Sequence, residues 1–164
     1  MSTSLHLVAT GGTIDKRYNP LTGNLDVGEP VLPAILGLAG LSGEAITVHA
    51  VLQKDSLDMN DADRALLADT VAALPGRHVL ITHGTDTMGL SAACIAARAP
   101  AKTVVLTGAM VPYSVDGSDA AFNVGVAYAA VQQLPAGVYI AMHGRVLPHT
   151  HYEKDRAAGC FKLR

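Results

Sequence analysis

The chain has 164 residues, of which 49% are hydrophobic and 16% charged, and its net charge is −2. This length and composition suit one globular domain with a full core and exclude a disordered or fibrous chain. With no basic excess and no run of like charges, neither nucleic acid nor a membrane surface is an expected partner.

No stretch approaches the roughly 18 consecutive apolar residues of a membrane-spanning helix. The opening MSTSLHLVAT lacks the basic and long apolar regions of a secretion signal. Cys94 and Cys160 make no disulfide framework, and no bridge between them is expected. Cys94, in an alanine-rich stretch, reads as a small core residue. A cytoplasmic location is the expectation.

Taken in order, LHLVA (5–9) is a strand that runs into a double-glycine turn, VATGGTID (8–15). Residues 15–30 carry Tyr18, Asn19, Pro20, Gly23 and Gly28 and read as the longest loop, a candidate lid. VLPAILGLAGL (31–41) reads as a helix and AITVHAVL (45–52) as the second strand. The loop QKDSLDMND (53–61) leads to the helix DADRALLADTVAAL (61–74), capped by Asn60 or Asp61 and stopped by Pro75-Gly76. HVLIT (78–82) is the third strand, and TMGLSAACIAARA (87–99) is a helix that cannot continue through Pro100. TVVLT (103–107), the loop GAMVPYSVDGSD (108–119), the helix DAAFNVGVAYAAVQQL (119–134) and the strand GVYIAM (137–142) complete the alternation. Continuous apolar strands suit a parallel sheet covered on both faces. The expectation is a single α/β domain over residues 1–164: three layers, doubly wound, mostly parallel, flavodoxin-like or Rossmann-like.

In such sheets the binding crevice lies beyond the carboxyl ends of the strands. Four loops meet that edge, and they supply Thr13, Ser56, Asp58, Thr85 and Asp86. A hydroxyl becomes a nucleophile when a neighbouring base takes its proton, and a lysine of lowered pKa at the crevice is one such base. The backbone N–H groups of Gly11, Gly12 and Thr87 are candidate oxyanion donors. Together these parts suit acyl transfer on a small polar substrate. Each also has a purely structural reading. The double glycine serves as a tight turn, Ser56 and Asp58 as caps of the next helix, and Thr85 and Asp86 as caps of the helix at Thr87. His83 reads as structural, and His143, His149 and His151 lack the partners of a metal site.

ATGGTI (9–14), SLDMND (56–61), HGTDTM (83–88), GAMVP (108–112) and DGSDAAFN (116–123), in that order, resemble the bacterial-type L-asparaginases. The resemblance implies that Thr13 is the nucleophile, forming an acyl-enzyme ester, with Tyr18 as the lid tyrosine that assists it. It also implies a second triad of Thr85, Asp86 and Lys154. Ser56 would bind the substrate carboxylate and Asp86 its ammonium, with Thr85 and Gly12 also lining the site. Hydrolysis of L-asparagine to L-aspartate and ammonia, without metal or organic cofactor, is the implied reaction. The chain departs from the family in reaching only about half the usual length and in carrying Leu57 where relatives have a polar residue. A short form made of the N-terminal domain alone, with the family's C-terminal domain absent and a homo-oligomer covering its open edge, is therefore expected. A non-catalytic domain that binds aspartate or asparagine, and a broader glutaminase or amidase, are the alternatives.

Overall fold

The computed structural model describes residues 5–41, 47–99 and 101–164. The five expected strands run parallel: β1 (Leu5–Gly11), β4 (Thr47–Lys54), β5 (His78–Thr82), β6 (Thr103–Thr107) and β7 (Gly137–Met142). An antiparallel strand, β8 (Arg145–Pro148), closes one edge, giving the order β4-β1-β5-β6-β7-β8. Among the described residues four α-helices cover the sheet: α1 (Leu32–Leu38), α2 (Asp61–Ala73), α3 (Met88–Arg98) and α4 (Ala120–Gln133).

Alternation along the strands decides which side chain meets which layer. Val8, Val79, Ile81, Val104, Leu106 and Ile140 pack with Leu67, Val71, Met88 and Ile95 of α2 and α3. Leu7, Leu80, Val105 and Ala141 point the other way, onto Leu32, Ile35, Val124 and Val131 of α1 and α4. Burial on both faces explains why the centres of these strands are continuous apolar runs. The doubly wound α/β reading thus holds.

Element boundaries fall close to expectation. Asn60 is the cap of α2, in a capping box with Asp63, and β4 continues to Lys54. Ala45, Ile46 and Pro100 lie outside the described residues. Both cysteines are free. None of the described helices is long and apolar enough to cross a membrane.

Two departures bear on function. Residues 15–30 are not an irregular loop: a short 3-10 turn (Thr13–Asp15) leads into the hairpin β2 (Lys16–Tyr18) and β3 (Leu25–Val27). Beyond β8, a second hairpin, β9 (Tyr152–Asp155) and β10 (Cys160–Leu163), stands outside the main sheet. Tyr152 and Phe161 bury their rings in the α2/α3 layer and anchor it there.

Candidate active site

The carboxyl ends of β1, β4, β5 and β6 are packed backbone to backbone. Gly12 has φ +83°, and a Cβ on it would lie 2.4 Å from both the Cα and the N of Gly84. Gly84 has the same intimacy with the next loop, since its Cβ would lie 2.6 Å from the Cβ of Ser56. Gly108, after β6, would meet the carbonyl oxygen of His83 at 2.4 Å. The glycines are thus required by close approach, and the turn that carries Thr13 touches the turn that carries Thr85.

Around this stack the polar side chains divide into scaffold and open groups. The Thr10 hydroxyl donates to the Thr82 carbonyl (2.9 Å) and ties β1 to β5. His83 is buried between the Gly84 carbonyl (2.7 Å) and the Ser91 hydroxyl (2.7 Å), and burial lowers its pKa to about 4. It is therefore a neutral, structural histidine. Asp119 receives the N–H groups of Met110 (3.0 Å) and Val111 (3.0 Å) and shapes the loop after β6.

Lys154, on β9, reaches across to the turn after β5. Its Nζ donates to Thr85 Oγ1 (2.7 Å) and to Asp86 Oδ1 (2.9 Å). Thr85 is buried, and the Lys154 and Asp86 side chains are 13% and 24% exposed, so the trio is largely shielded yet open on one side. Arg156, two residues further on, places Nε 3.3 Å from the same Asp86 oxygen. Sequence reasoning missed it, because only the hairpin turns it toward Asp86. The purely structural alternative, in which Thr85 and Asp86 cap α3, is not what the side chains do. Thr87 occupies the cap position, and both side chains face Lys154 instead.

The other predicted residues lie outside the Lys154 trio. Thr13 is half-buried on its 3-10 turn. Tyr18 ends β2 and is 65% exposed. Neither hydroxyl has a hydrogen-bond partner among the described residues, so Tyr18 does not engage Thr13 in this arrangement. Ser56 is fully buried; its carbonyl accepts from the Thr87 hydroxyl (2.8 Å), and its hydroxyl accepts a long bond from the Thr87 N–H (3.4 Å). The N–H of Gly12 is spent on the Lys54 carbonyl (2.9 Å). Two of the expected oxyanion donors, Gly12 and Thr87, are therefore already paired. A cavity of about 410 Å³ borders the trio and is lined by Thr85, Asp86, Leu90, Tyr152 and Lys154 among others, but not by Thr13 or Ser56.

The site is thus a lysine bonded to a threonine and an aspartate at the carboxyl edge of a mostly parallel, doubly wound α/β sheet. Residues 4–161 match the family profile described as asparaginase, N-terminal. The chain belongs to that family. It is 26% identical over 159 residues to an L-asparaginase of Thermococcus kodakarensis, covering 94% of this chain and 48% of the relative. It is 28% identical over 150 residues to a glutamyl-tRNA(Gln) amidotransferase component of Methanococcus vannielii, covering 87% of this chain and 35% of the relative. Among solved structures, the thermostable L-asparaginase from Thermococcus kodakarensis superposes with a TM-score of 0.83 at 28% identity, over 98% of this chain and 51% of that one. A probable cytoplasmic L-asparaginase from Campylobacter jejuni gives 0.78 at 29% identity, over 93% and 50%. The chain thus spans between about a third and a half of the length of the relatives it matches.

Proposed function

We propose that this domain hydrolyses the side-chain amide of L-asparagine through an ester on Thr13. One observation carries the reading: Lys154 is bonded to both Thr85 and Asp86, in a turn whose preceding residue, Gly84, touches the residue before Thr13. In the first half-reaction Thr13 Oγ attacks the amide carbon, its proton passes through a base to the leaving nitrogen, and ammonia departs as the C–N bond breaks. In the second, water attacks the ester carbon, one of its protons passes to Thr13 Oγ as the ester C–O bond breaks, and L-aspartate is released.

Lys154 enters as the base once it has shed a proton. The 2.7 Å contact then reverses, with the Thr85 hydroxyl donating to Nζ and so able to draw a proton from an attacking hydroxyl or water. Asp86 offers a second oxygen, Oδ2, to a substrate ammonium while Oδ1 stays bound to Lys154 and Arg156. Ser56 would meet a substrate carboxylate only after its covered side chain opens toward the crevice.

The relatives that are tRNA amidotransferase components support a second reading, in which the same chemistry releases ammonia for use by a partner protein. Coupled ammonia release from asparagine and from glutamine, with L-aspartate binding measured in parallel, tests the hydrolase reading itself. The wild type should turn over asparagine, and Thr13→Ala should lose that turnover while still binding aspartate. A wild type that binds aspartate yet releases no ammonia identifies a binding domain. Comparable turnover of glutamine identifies a broader amidase.

A further inference from the structure

We propose that Lys16 and Asp55, neither of which is in the Lys154 trio, form a positioning pair that sets the turn carrying Thr13 against the loop carrying Ser56. Lys16 Nζ lies 2.6 Å from Asp55 Oδ2, and the two side chains are only 24% and 25% exposed. An ordinary surface ion pair contributes little because both partners are solvated and mobile. This one is different at both ends.

At the lysine end three elements converge on a single residue. The Lys16 N–H donates to the Thr13 carbonyl and closes the 3-10 turn. Its carbonyl accepts from the Ser114 hydroxyl (2.8 Å) of the loop after β6. Lys16 also begins β2, so its position sets the base of the hairpin that bears Tyr18. At the aspartate end, Oδ1 accepts the Leu57 N–H (3.1 Å) while the Asp55 carbonyl accepts the Asp58 N–H (3.0 Å), which forms the turn Ser56–Asp58. Burial alone would raise the Asp55 pKa, but the hydrogen bonds from Lys16 and Leu57 outweigh it and hold the carboxyl below its ordinary value. The carboxylate is therefore kept charged for its lysine while it also fixes the backbone beside Ser56.

The pair's effect on turnover rests on the proposed hydrolysis; its effect on the hairpin does not. Three variants test it. Lys16→Met removes the charge, Asp55→Asn removes the charge while keeping an acceptor for Leu57, and Lys16→Arg keeps the charge. Each is compared with Arg98→Gln, which breaks a distant ion pair with Asp69. The readouts are KM and kcat for asparagine, L-aspartate affinity by calorimetry, and amide hydrogen exchange over residues 16–27. Loss of a shielded, charge-assisted contact should raise KM and weaken aspartate binding about tenfold in Lys16→Met and Asp55→Asn. In those variants kcat should change far less, exchange over 16–27 should accelerate, and Lys16→Arg should restore all three. Unchanged affinity and exchange in both charge-removing variants would overturn the proposal. So would losses that Lys16→Arg fails to restore, or that Arg98→Gln reproduces. If the wild type releases no ammonia, the hydrolase reading fails, and aspartate affinity and exchange still decide the pair.

Discussion

Asp15 follows Thr13 by two residues and gives an inverted pH dependence of stability. Its carboxylate is 1% exposed; Oδ1 accepts the Val31 N–H (2.9 Å), and Oδ2 has no partner among the described residues. Desolvation raises its pKa to about 6 from an ordinary 3.8, against the opposing effects of the Val31 bond and of Arg17. Between those two values the folded state holds a proton that the unfolded chain has released, so stability falls as pH rises through the window. Its full stabilising contribution is present below the unfolded value and is lost above about 6. At 1.36 kcal/mol per unit, the displacement amounts to about 3 kcal/mol. In a domain of this size that is roughly 6–12 °C in melting temperature. Asp15→Asn resembles the protonated form at every pH, so melts of both proteins from pH 4 to 7.5 isolate the effect, because all other carboxylates cancel in the difference. The variant's melting temperature should climb relative to wild type between pH 4 and about 6.5 and then level off. The missing partner at Oδ2 adds only a constant offset. Parallel curves for the two proteins would refute the reasoning.

Two further predictions concern the stack and the trio. Gly12→Ala places a methyl group against backbone atoms that cannot rotate aside, at a positive φ. Strain of about 1–2 kcal/mol and overpacking of about 1–3 kcal/mol should together lower the melting temperature by roughly 5–20 °C, read by calorimetry. Lys154→Ala removes both bonds that hold Thr85 and Asp86. Ammonia release from asparagine should fall by on the order of a hundredfold or more, the usual cost of removing a general base; a steady-state assay showing less than a tenfold loss would take Lys154 out of the chemistry.

What the sequence revealed follows from how much signal each element carries. Strands such as HVLIT and TVVLT carry three consecutive apolar residues at their centres because both faces are covered, and they are found at the expected residues. The turn-lining glycines were equally visible, since backbone contact leaves no substitute for them. The β2–β3 hairpin was hidden because its strands have three residues each, mostly exposed, without alternation. YEKD of β9 was hidden as well, so Lys154 was reached through the family resemblance and not through its own pattern. Lys16, Asp55 and Arg156 carried no signal, because pairing between remote loops depends on the register of strands between them. Asp15 looked like an ordinary loop carboxylate, and nothing in TGGTID announces that it would be sealed from water.

The two hairpins bring their side chains to the site with different stiffness. A two-stranded hairpin has little stability of its own and depends on what it packs against. β9–β10 inserts Tyr152 and Phe161 into the core, and the Tyr152 hydroxyl donates to the Met142 carbonyl (2.8 Å). Lys154 therefore stands on an element anchored in the core. β2–β3 leaves Tyr18 and Leu25 exposed and is held from its base by polar contacts: Lys16 to Asp55, Ser114 to the Lys16 carbonyl, and Gln53 to the Val27 carbonyl (3.1 Å). These are point attachments at the base of the hairpin, whereas the buried rings of β9–β10 anchor both of its strands. Thr13 sits where the two regimes meet, its preceding glycine locked in the stack and its following residues leading into the loosely held hairpin. Under the proposed hydrolysis, the hairpin bearing Tyr18 is therefore the element expected to give way to a substrate, and amide exchange faster over residues 16–27 than over 152–163 would bear this out.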